Sequence, residues 1–172
     1  MNLKRDVETV SAEGVPVMRL IDGVQLRAAV TIADERGTLT EIINPAWNIG
    51  TYPVIYGFQF TILPGRINGW AVHYETDELY FVNIGRVKIV LFDDRRDSPT
   101  YQAINEFTFT EFNRSFITIP HGVYHANQNI GTVEALVMCF ASQPYDYKNP
   151  DKYRLPLDTD YIPYRFESTL GR

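Results

Sequence analysis

The stretch Gly65-Arg-Ile-Asn-Gly-Trp-Ala-Val-His-Tyr-Glu-Thr-Asp-Glu-Leu-Tyr-Phe-Val-Asn-Ile-Gly85 decides the fold. Its second half, Glu78-Leu-Tyr-Phe-Val82, is strand-like and is followed by Asn-Ile-Gly, a turn signal. Residues two apart on a strand share a face, so a segment of this kind aims several polar side chains at one interior point. A second segment, Pro120-His-Gly-Val-Tyr-His125, offers another histidine. We therefore expect His73 and His125 to line one interior pocket.

Similar short apolar runs recur on both sides of this stretch, between turn signals. Tyr and Phe are enriched, with 11 and 10 copies, which favours strands over helices. No helical period, repeat or linker interrupts the pattern, so residues 1–172 are predicted to form a single all-β domain, a small barrel. The further predicted strands are Val54–Leu63, Val87–Phe92, Phe107–Phe112 and Phe116–Ile119.

Composition excludes several classes of partner. The 16 basic and 21 acidic residues give a net charge of -5, so a basic surface for nucleic acid is not expected. No apolar run reaches the roughly 18 residues of a membrane span, and no secretory signal opens the chain, so we expect a cytoplasmic protein without a membrane partner. The single cysteine, Cys139, lies in an apolar run and is expected to be a buried, inert thiol.

The two histidine segments resemble the two signature motifs of the cupin superfamily, whose fold is a double-stranded β-helix, or jelly-roll barrel. Gly65, His73, Glu78 and Gly85 follow the first motif, although Ala71 stands where that motif has its first histidine. Three interpretations of the pocket are open at this point. His73, Glu78 and His125 are a candidate two-His-one-carboxylate metal site; the histidines act in catalysis without a metal; or they are hydrogen-bonded core residues.

Four segments resemble, more specifically, the dTDP-4-dehydrorhamnose 3,5-epimerase family. They occur in the family's order and cover roughly residues 25 to 165. The four segments are Ala33–Glu41, Phe92–Tyr101, Ile119–His125 and Pro144-Tyr145. A longer match, Pro144 to Pro156, resembles a divergent branch of these proteins.

This resemblance implies a proton-transfer reaction on a 4-keto-6-deoxy sugar nucleotide. His73 matches the base that removes the proton beside the ketone, Tyr145 matches the acid that returns one, and His125 is a second polar group at the pocket floor. A ketone acidifies its neighbouring C–H, so one base and one acid suffice. No Gly-x-Gly-x-x-Gly follows a strand, so we expect no nicotinamide and no other cofactor.

The resemblance also implies a nucleotide-sugar site and a homodimer. Arg36 and Glu41 match positions that reach the nucleotide, often across the dimer interface. Gln59 lies near a segment that flanks the pocket, and Arg66 is a candidate for the diphosphate because guanidinium suits phosphate. Arg95 is interpreted instead as a structural ion-pair partner of a neighbouring aspartate.

The sequence departs from the epimerase motifs at three positions that take part in substrate binding or catalysis. Trp70 replaces an arginine that grips phosphate, and Glu78 replaces a lysine that helps to stabilise the enolate. The aspartate that pairs with the base has no counterpart, and Asp158 and Asp160 are candidate substitutes. Two alternatives to an epimerase therefore stay open: a non-catalytic sugar-nucleotide binding cupin, and a metal-dependent cupin.

Overall fold

The computed structural model of the chain describes residues 3, 5, 8–13, 17–50 and 53–167. In this part of the chain, short antiparallel strands carry the architecture, joined by turns and one 3₁₀ turn at Pro45–Trp47. The strands are β1 Leu26–Ala28, β2 Thr31–Asp34, β3 Gly37–Thr40, β4 Tyr56–Ile62, β5 Ile67–Val72, β6 Glu78–Ile84, β7 Arg86–Asp93, β8 Ile104–Thr110, β9 Ser115–Ile119, β10 Val123–Asn129, β11 Ala135–Ala141 and β12 Tyr153–Arg154.

The strands form two five-stranded sheets and a separate hairpin. The first sheet has the order β1-β9-β6-β11-β4, the second has the order β12-β5-β10-β7-β8, and β2 pairs only with β3. Inward side chains from both sheets form one core cluster, as expected for a barrel made of two facing sheets. The predicted all-β, cupin-type jelly roll is confirmed. No helix in the residues named above is long and apolar enough to span a bilayer.

The predicted strands are observed, with boundaries that differ by up to three residues, and the end of β8 has a clear physical reason. β8 ends at Thr110, two residues before the predicted end at Phe112. The Asn113 side chain accepts hydrogen bonds from the main-chain N–H and the hydroxyl of Thr110, at 2.7 and 2.8 Å, which closes a turn there. Phe112 is therefore 92% exposed, although it continues the apolar alternation of the strand.

The C-terminal segment covers the outer face of the second sheet. Trp70 points to this face rather than into the barrel, and its ring contacts those of Tyr164 and Phe166. Leu157 and Ile162 join the same apolar cluster. Trp70 is thus a core residue beneath the C-terminal segment, which explains why an aromatic residue occupies this position. The content of Tyr, Pro and Asp between Gln143 and Arg172 predicts a segment that lies over the barrel mouth or at a subunit interface. Residues 168–172 of it lie outside the described residues.

A partly buried ion pair stabilises the loop that follows β7. The guanidinium Nε of Arg95 donates to Asp93 Oδ1 at 2.8 Å, and the hydroxyls of Ser98 and Thr100 donate to Oδ2. Burial opposes the charge of Asp93, but these donors outweigh it and lower the pKa of its carboxyl to about 2. The interpretation of Arg95 as a structural ion-pair partner is confirmed.

We expect Asp93→Asn to lower the free energy of unfolding by about 1 to 2 kcal/mol at pH 7. The Asp93 side chain is fully buried, and its pKa is lower in the folded chain than in the unfolded one. Its contribution is therefore complete above about pH 4 and is lost as the pH falls toward 2, reaching about half at pH 3. Urea unfolding at pH 7 and pH 3 measures this, with Asp97→Asn, an exposed neighbour, as the control. An equal deficit at both pH values would contradict the assignment.

Candidate functional site

Three elements bring the two histidine segments together. His73 directly follows β5, Glu78 begins β6, and His125 lies in β10. β10 pairs with β5 so that His125 lies opposite Ala71, whose side chain has the same orientation as that of His73. The N–H of Gly122 donates to the carbonyl of His73 at 2.6 Å, which ties the two segments directly. Gly122 has a φ of +76°, a conformation that favours glycine at this contact.

Glu78 lies between the two histidines. Its Oε1 is 3.6 Å from His73 Nε2, and its Oε2 is 3.4 Å from His125 Nε2. The two imidazole rings are parallel, with centroids 5.7 Å apart. Tyr80 donates its hydroxyl to Glu78 Oε2 at 3.0 Å, and the thiol of Cys139 lies 3.4 Å from Oε1.

Burial and charge set the protonation states in this cluster. Burial lowers the pKa of His125 to about 4 despite the opposing effect of Glu78, so His125 is neutral at pH 7. Burial by itself raises the pKa of Glu78, but the histidines, Lys152 and the Tyr80 hydroxyl together lower it below its usual value. Burial and the Glu78 charge raise the pKa values of Tyr80 and Cys139, so both keep their protons. The cluster therefore carries a buried carboxylate, and Cys139 is the buried thiol predicted from the sequence.

Asp151 orients His73. The main-chain carbonyl of Asp151 is hydrogen-bonded to His73 Nδ1, and because a carbonyl only accepts, Nδ1 carries the hydrogen. The Asp151 carboxylate accepts the N–H groups of Tyr74 and Glu75 at 2.8 and 2.9 Å, and these donors lower its pKa against the effect of burial. In the neutral imidazole, the tautomer with its hydrogen on Nδ1 has its lone pair on Nε2. This nitrogen is buried and has no hydrogen-bond partner among the described residues.

Among the described residues, the polar partners of the His73 ring are Asp151 and Glu78, so the candidates Asp158 and Asp160 do not take the place of the missing aspartate. Asp160 instead forms a 2.5 Å ion pair with Arg165, within the C-terminal segment. The group that orients His73 is the main-chain carbonyl of Asp151. Because every residue has such a carbonyl, residue type does not reveal this contact.

Two adjoining cavities open beside the cluster. The outer cavity has a volume of about 670 Å³ and includes His73 and Glu78 in its wall. The inner cavity, of about 80 Å³, includes His125. Phe58 and Lys152 line both cavities. The outer volume is in the range of small-molecule sites, typically about 300–1,000 Å³.

The C-terminal segment supplies the mouth of the outer cavity. Tyr145 lines it and is 43% exposed, and its ring meets that of Tyr147 edge to face at 5.0 Å. Of the two placements predicted for this segment, the barrel mouth is observed for its first part, residues 143–154. His73 and Tyr145, the predicted base and acid, thus line the same cavity.

The predicted substrate-binding residues lie elsewhere in the chain. Arg36 pairs with Asp34 at 2.6 Å in the turn of the β2–β3 hairpin, and Glu41 follows that hairpin. Gln59 is exposed on the face of β4 opposite to Phe58. Arg66 precedes β5, whereas His73 follows it, so the length of a six-residue strand separates them, about 20 Å. Substrate contacts by these residues stay predictions.

Three cavity residues that matter chemically were missed. Asp151, Lys152 and Arg154 line the outer cavity. All three lie inside the stretch from Pro144 to Pro156, in which only Tyr145 was assigned a role from the sequence. Polar residues close to a proposed catalytic tyrosine were the signal that could have identified them.

Known proteins match this chain over most of its length. The family model for the polysaccharide biosynthesis C-terminal domain matches residues 32–153. A "Probable low-salt glycan biosynthesis epimerase Agl13" from Haloferax volcanii is 32% identical over 139 residues, covering 80% of this chain and 89% of that protein.

Solved structures of similar shape include sugar-nucleotide enzymes. A dTDP sugar isomerase from Desulfovibrio desulfuricans G20 aligns with a TM-score of 0.78 at 25% identity, covering 84% of this chain and 90% of that one. A dTDP-4-dehydrorhamnose 3,5-epimerase from Bacillus anthracis, with TDP and PPi bound, aligns with a TM-score of 0.78 at 18% identity, covering 91% and 93%. The second likeness supports the fold. The matches agree with the resemblance seen in the sequence.

Proposed function

The chain belongs to the polysaccharide biosynthesis C-terminal domain family, and on this premise we propose that it is an epimerase of 4-keto-6-deoxy sugar nucleotides. The relatives named as an epimerase and as a dTDP sugar isomerase support the substrate class. The observation that carries the proposal is the placement of His73: Asp151 holds its Nδ1, its Nε2 has no hydrogen-bond partner among the described residues, and it lines the same cavity as Tyr145.

The reaction is a proton exchange beside the ketone. His73 Nε2 removes the proton from the carbon next to the carbonyl, and the C–H electron pair forms a C=C bond while the carbonyl pair moves onto oxygen. Tyr145 then donates its hydroxyl proton to the opposite face of that carbon, and the carbonyl re-forms. The protonated histidine and the tyrosinate return to their starting states by proton transfer through solvent. No electrons leave the substrate, so the cycle needs no redox partner.

Incubation of the protein with dTDP-4-keto-6-deoxyglucose, followed by NMR of the sugar, tests this proposal. Inversion at a carbon next to the ketone is the expected result. Tight binding without any inversion would favour the alternative, a non-catalytic sugar-nucleotide binding cupin. Absence of both binding and inversion would reject this sugar nucleotide as substrate.

We propose that the protein acts as a homodimer. The β2–β3 hairpin pairs with neither five-stranded sheet and exposes Ile32 and Leu39, 65% and 61% accessible and opposite each other in register. A second copy would cover this apolar pair and the unpaired hairpin edges. It would also explain how Arg36 and Glu41, which lie on or beside the hairpin, could reach a nucleotide in the partner's cavity.

We expect Ile32→Asp to convert the dimer into a monomer, because a carboxylate at this contact would be desolvated without a partner. Size-exclusion chromatography with light scattering measures the mass. Glu35→Gln, at the exposed turn of the same hairpin, is the control and keeps the mass of the parent. If the Ile32→Asp variant is still a dimer, the hairpin is not part of the interface.

A metal-dependent activity is the second candidate, supported by one observation. Ligand atoms of His73, Glu78 and His125 lie within 4.8 Å of one another, and all three residues are buried. The donor set fits a two-His-one-carboxylate metal site, and the carbonyl of Asp151 leaves His73 Nε2 free to bind. Elemental analysis of protein purified without chelator distinguishes the candidates. One equivalent of a first-row metal would favour this activity over the epimerase, in which Nε2 must be free.

A further inference from the structure

The proposed proton abstraction creates a charge problem in this cavity. Removal of the proton leaves a negative charge on the ketone oxygen, and such charge needs a cation or aligned donors nearby. Glu78, 3.6 Å from the base nitrogen, is anionic, and His125 is neutral. Glu78 and His125 therefore supply no positive charge to the ketone oxygen. A cation other than the protonated base has to come from another element of the fold.

Two cationic residues line the outer cavity, Lys152 and Arg154. Only Lys152 of these two also lines the inner cavity, where His125 lies. The positive charge of Lys152 lowers the pKa values of both Glu78 and His125. In the part of the chain that the structure describes, no carboxylate oxygen within 4.0 Å pairs with this ammonium.

The main chain is held on both sides of Lys152. Before it, Asp151 binds the His73 ring through its carbonyl and binds two loop N–H groups through its carboxylate. After it, Tyr153 pairs with Val72 where β12 joins β5, the strand that ends just before His73. Because the main chain is held in place, the flexible Lys152 side chain can bring its positive charge to the substrate while the segment stays where it is.

We propose that Lys152 is a catalytic residue that binds the ketone oxygen of the substrate and stabilises the enolate. This inference rests on the proposed epimerase function. The ammonium donates a hydrogen bond to the oxygen as the carbonyl electron pair moves onto it, and keeps its proton when the carbonyl re-forms. The cation that the reaction needs is therefore supplied by the C-terminal segment, while position 78, on β6, carries a carboxylate.

The test compares Lys152→Met with Lys148→Met in steady-state turnover of the keto-sugar nucleotide. Lys148 is exposed on the same segment and lies outside both cavities, so its variant is a matched control. Lys152→Met is expected to lower kcat about 10²- to 10³-fold with a small change in KM, as for loss of one oxyanion donor. Lys148→Met is expected to turn over like the parent. A kcat for Lys152→Met close to that of the parent would overturn the proposal.

A binding measurement separates lost chemistry from a damaged cavity. Calorimetric titration with dTDP-glucose, which has a hydroxyl in place of the ketone, is expected to give similar affinities for the parent and Lys152→Met. Loss of this binding in the variant would overturn the proposal, because the defect would then lie in the cavity. If the unmodified protein itself fails to turn over the keto sugar, the proposed function fails, and the assignment of Lys152 falls with it.

Discussion

His73→Asn is expected to lower epimerisation by about 10³-fold, the upper part of the range for loss of a general base. Asparagine has no basic nitrogen, so the C–H proton has no acceptor at the position of Nε2. Its amide can still donate to the carbonyl of Asp151, the partner of His73 Nδ1. The change therefore removes the base and preserves the contact that holds the segment. Initial rates of epimer formation, measured by NMR, give the loss.

The matched control for this change is His121→Asn. His121 belongs to the same turn as Gly122, but its side chain is 58% exposed and pairs with Asp77 at 2.8 Å, outside the cavities. We expect this variant to turn over like the parent, and both variants to unfold near the parent's urea midpoint. If the His73→Asn protein is folded and keeps its turnover, His73 is not the base.

Tyr145→Phe is expected to separate proton removal from proton return. Without the hydroxyl, inversion falls about 10²- to 10³-fold, because the opposite face of the enolate has no positioned acid. His73 still removes the proton and can return one to the original face. In heavy water the variant should therefore introduce deuterium while the configuration is retained. NMR for configuration and mass spectrometry for deuterium read these two outcomes independently.

Tyr153→Phe is the control for this variant, since Tyr153 is an exposed tyrosine of the same segment that lines neither cavity. We expect it to invert the sugar like the parent. If Tyr145→Phe inverts at the parent's rate, another group returns the proton. Tyr56 and Tyr147, which line the same cavity, are then the next residues to test.

The fold could be predicted from the sequence because its signals are local. Alternation along Phe107–Phe112 and the turn signal after Val82 each follow from a few neighbouring residues. The resemblance to the epimerase family is confirmed by the matches, and the structure brings the two histidine segments together. The end of β8 was misjudged because the Asn113 side chain closes its turn earlier than apolar alternation suggests.

The site could be predicted only in part, because its remaining contacts join distant segments. His73 and Asp151 are 78 positions apart, and the contact uses a main-chain carbonyl, which leaves no signature in the sequence. Lys152 lines the two cavities because the neighbouring residues Tyr153 and Arg154 pair with β5, far away in sequence. Residue type alone suggested Arg66 for phosphate, but β5 places it at the end opposite to His73.

Deuterium exchange tests the central claim, carbanion chemistry at His73, most directly. The protein is incubated in heavy water with dTDP-4-keto-6-deoxyglucose, and mass spectrometry locates deuterium at C3 and C5, the carbons on either side of the ketone. We predict deuterium at one or both carbons with the unmodified protein and none with His73→Asn. Absence of deuterium at both carbons, with binding of the sugar nucleotide shown separately, would contradict the account and favour a binding protein.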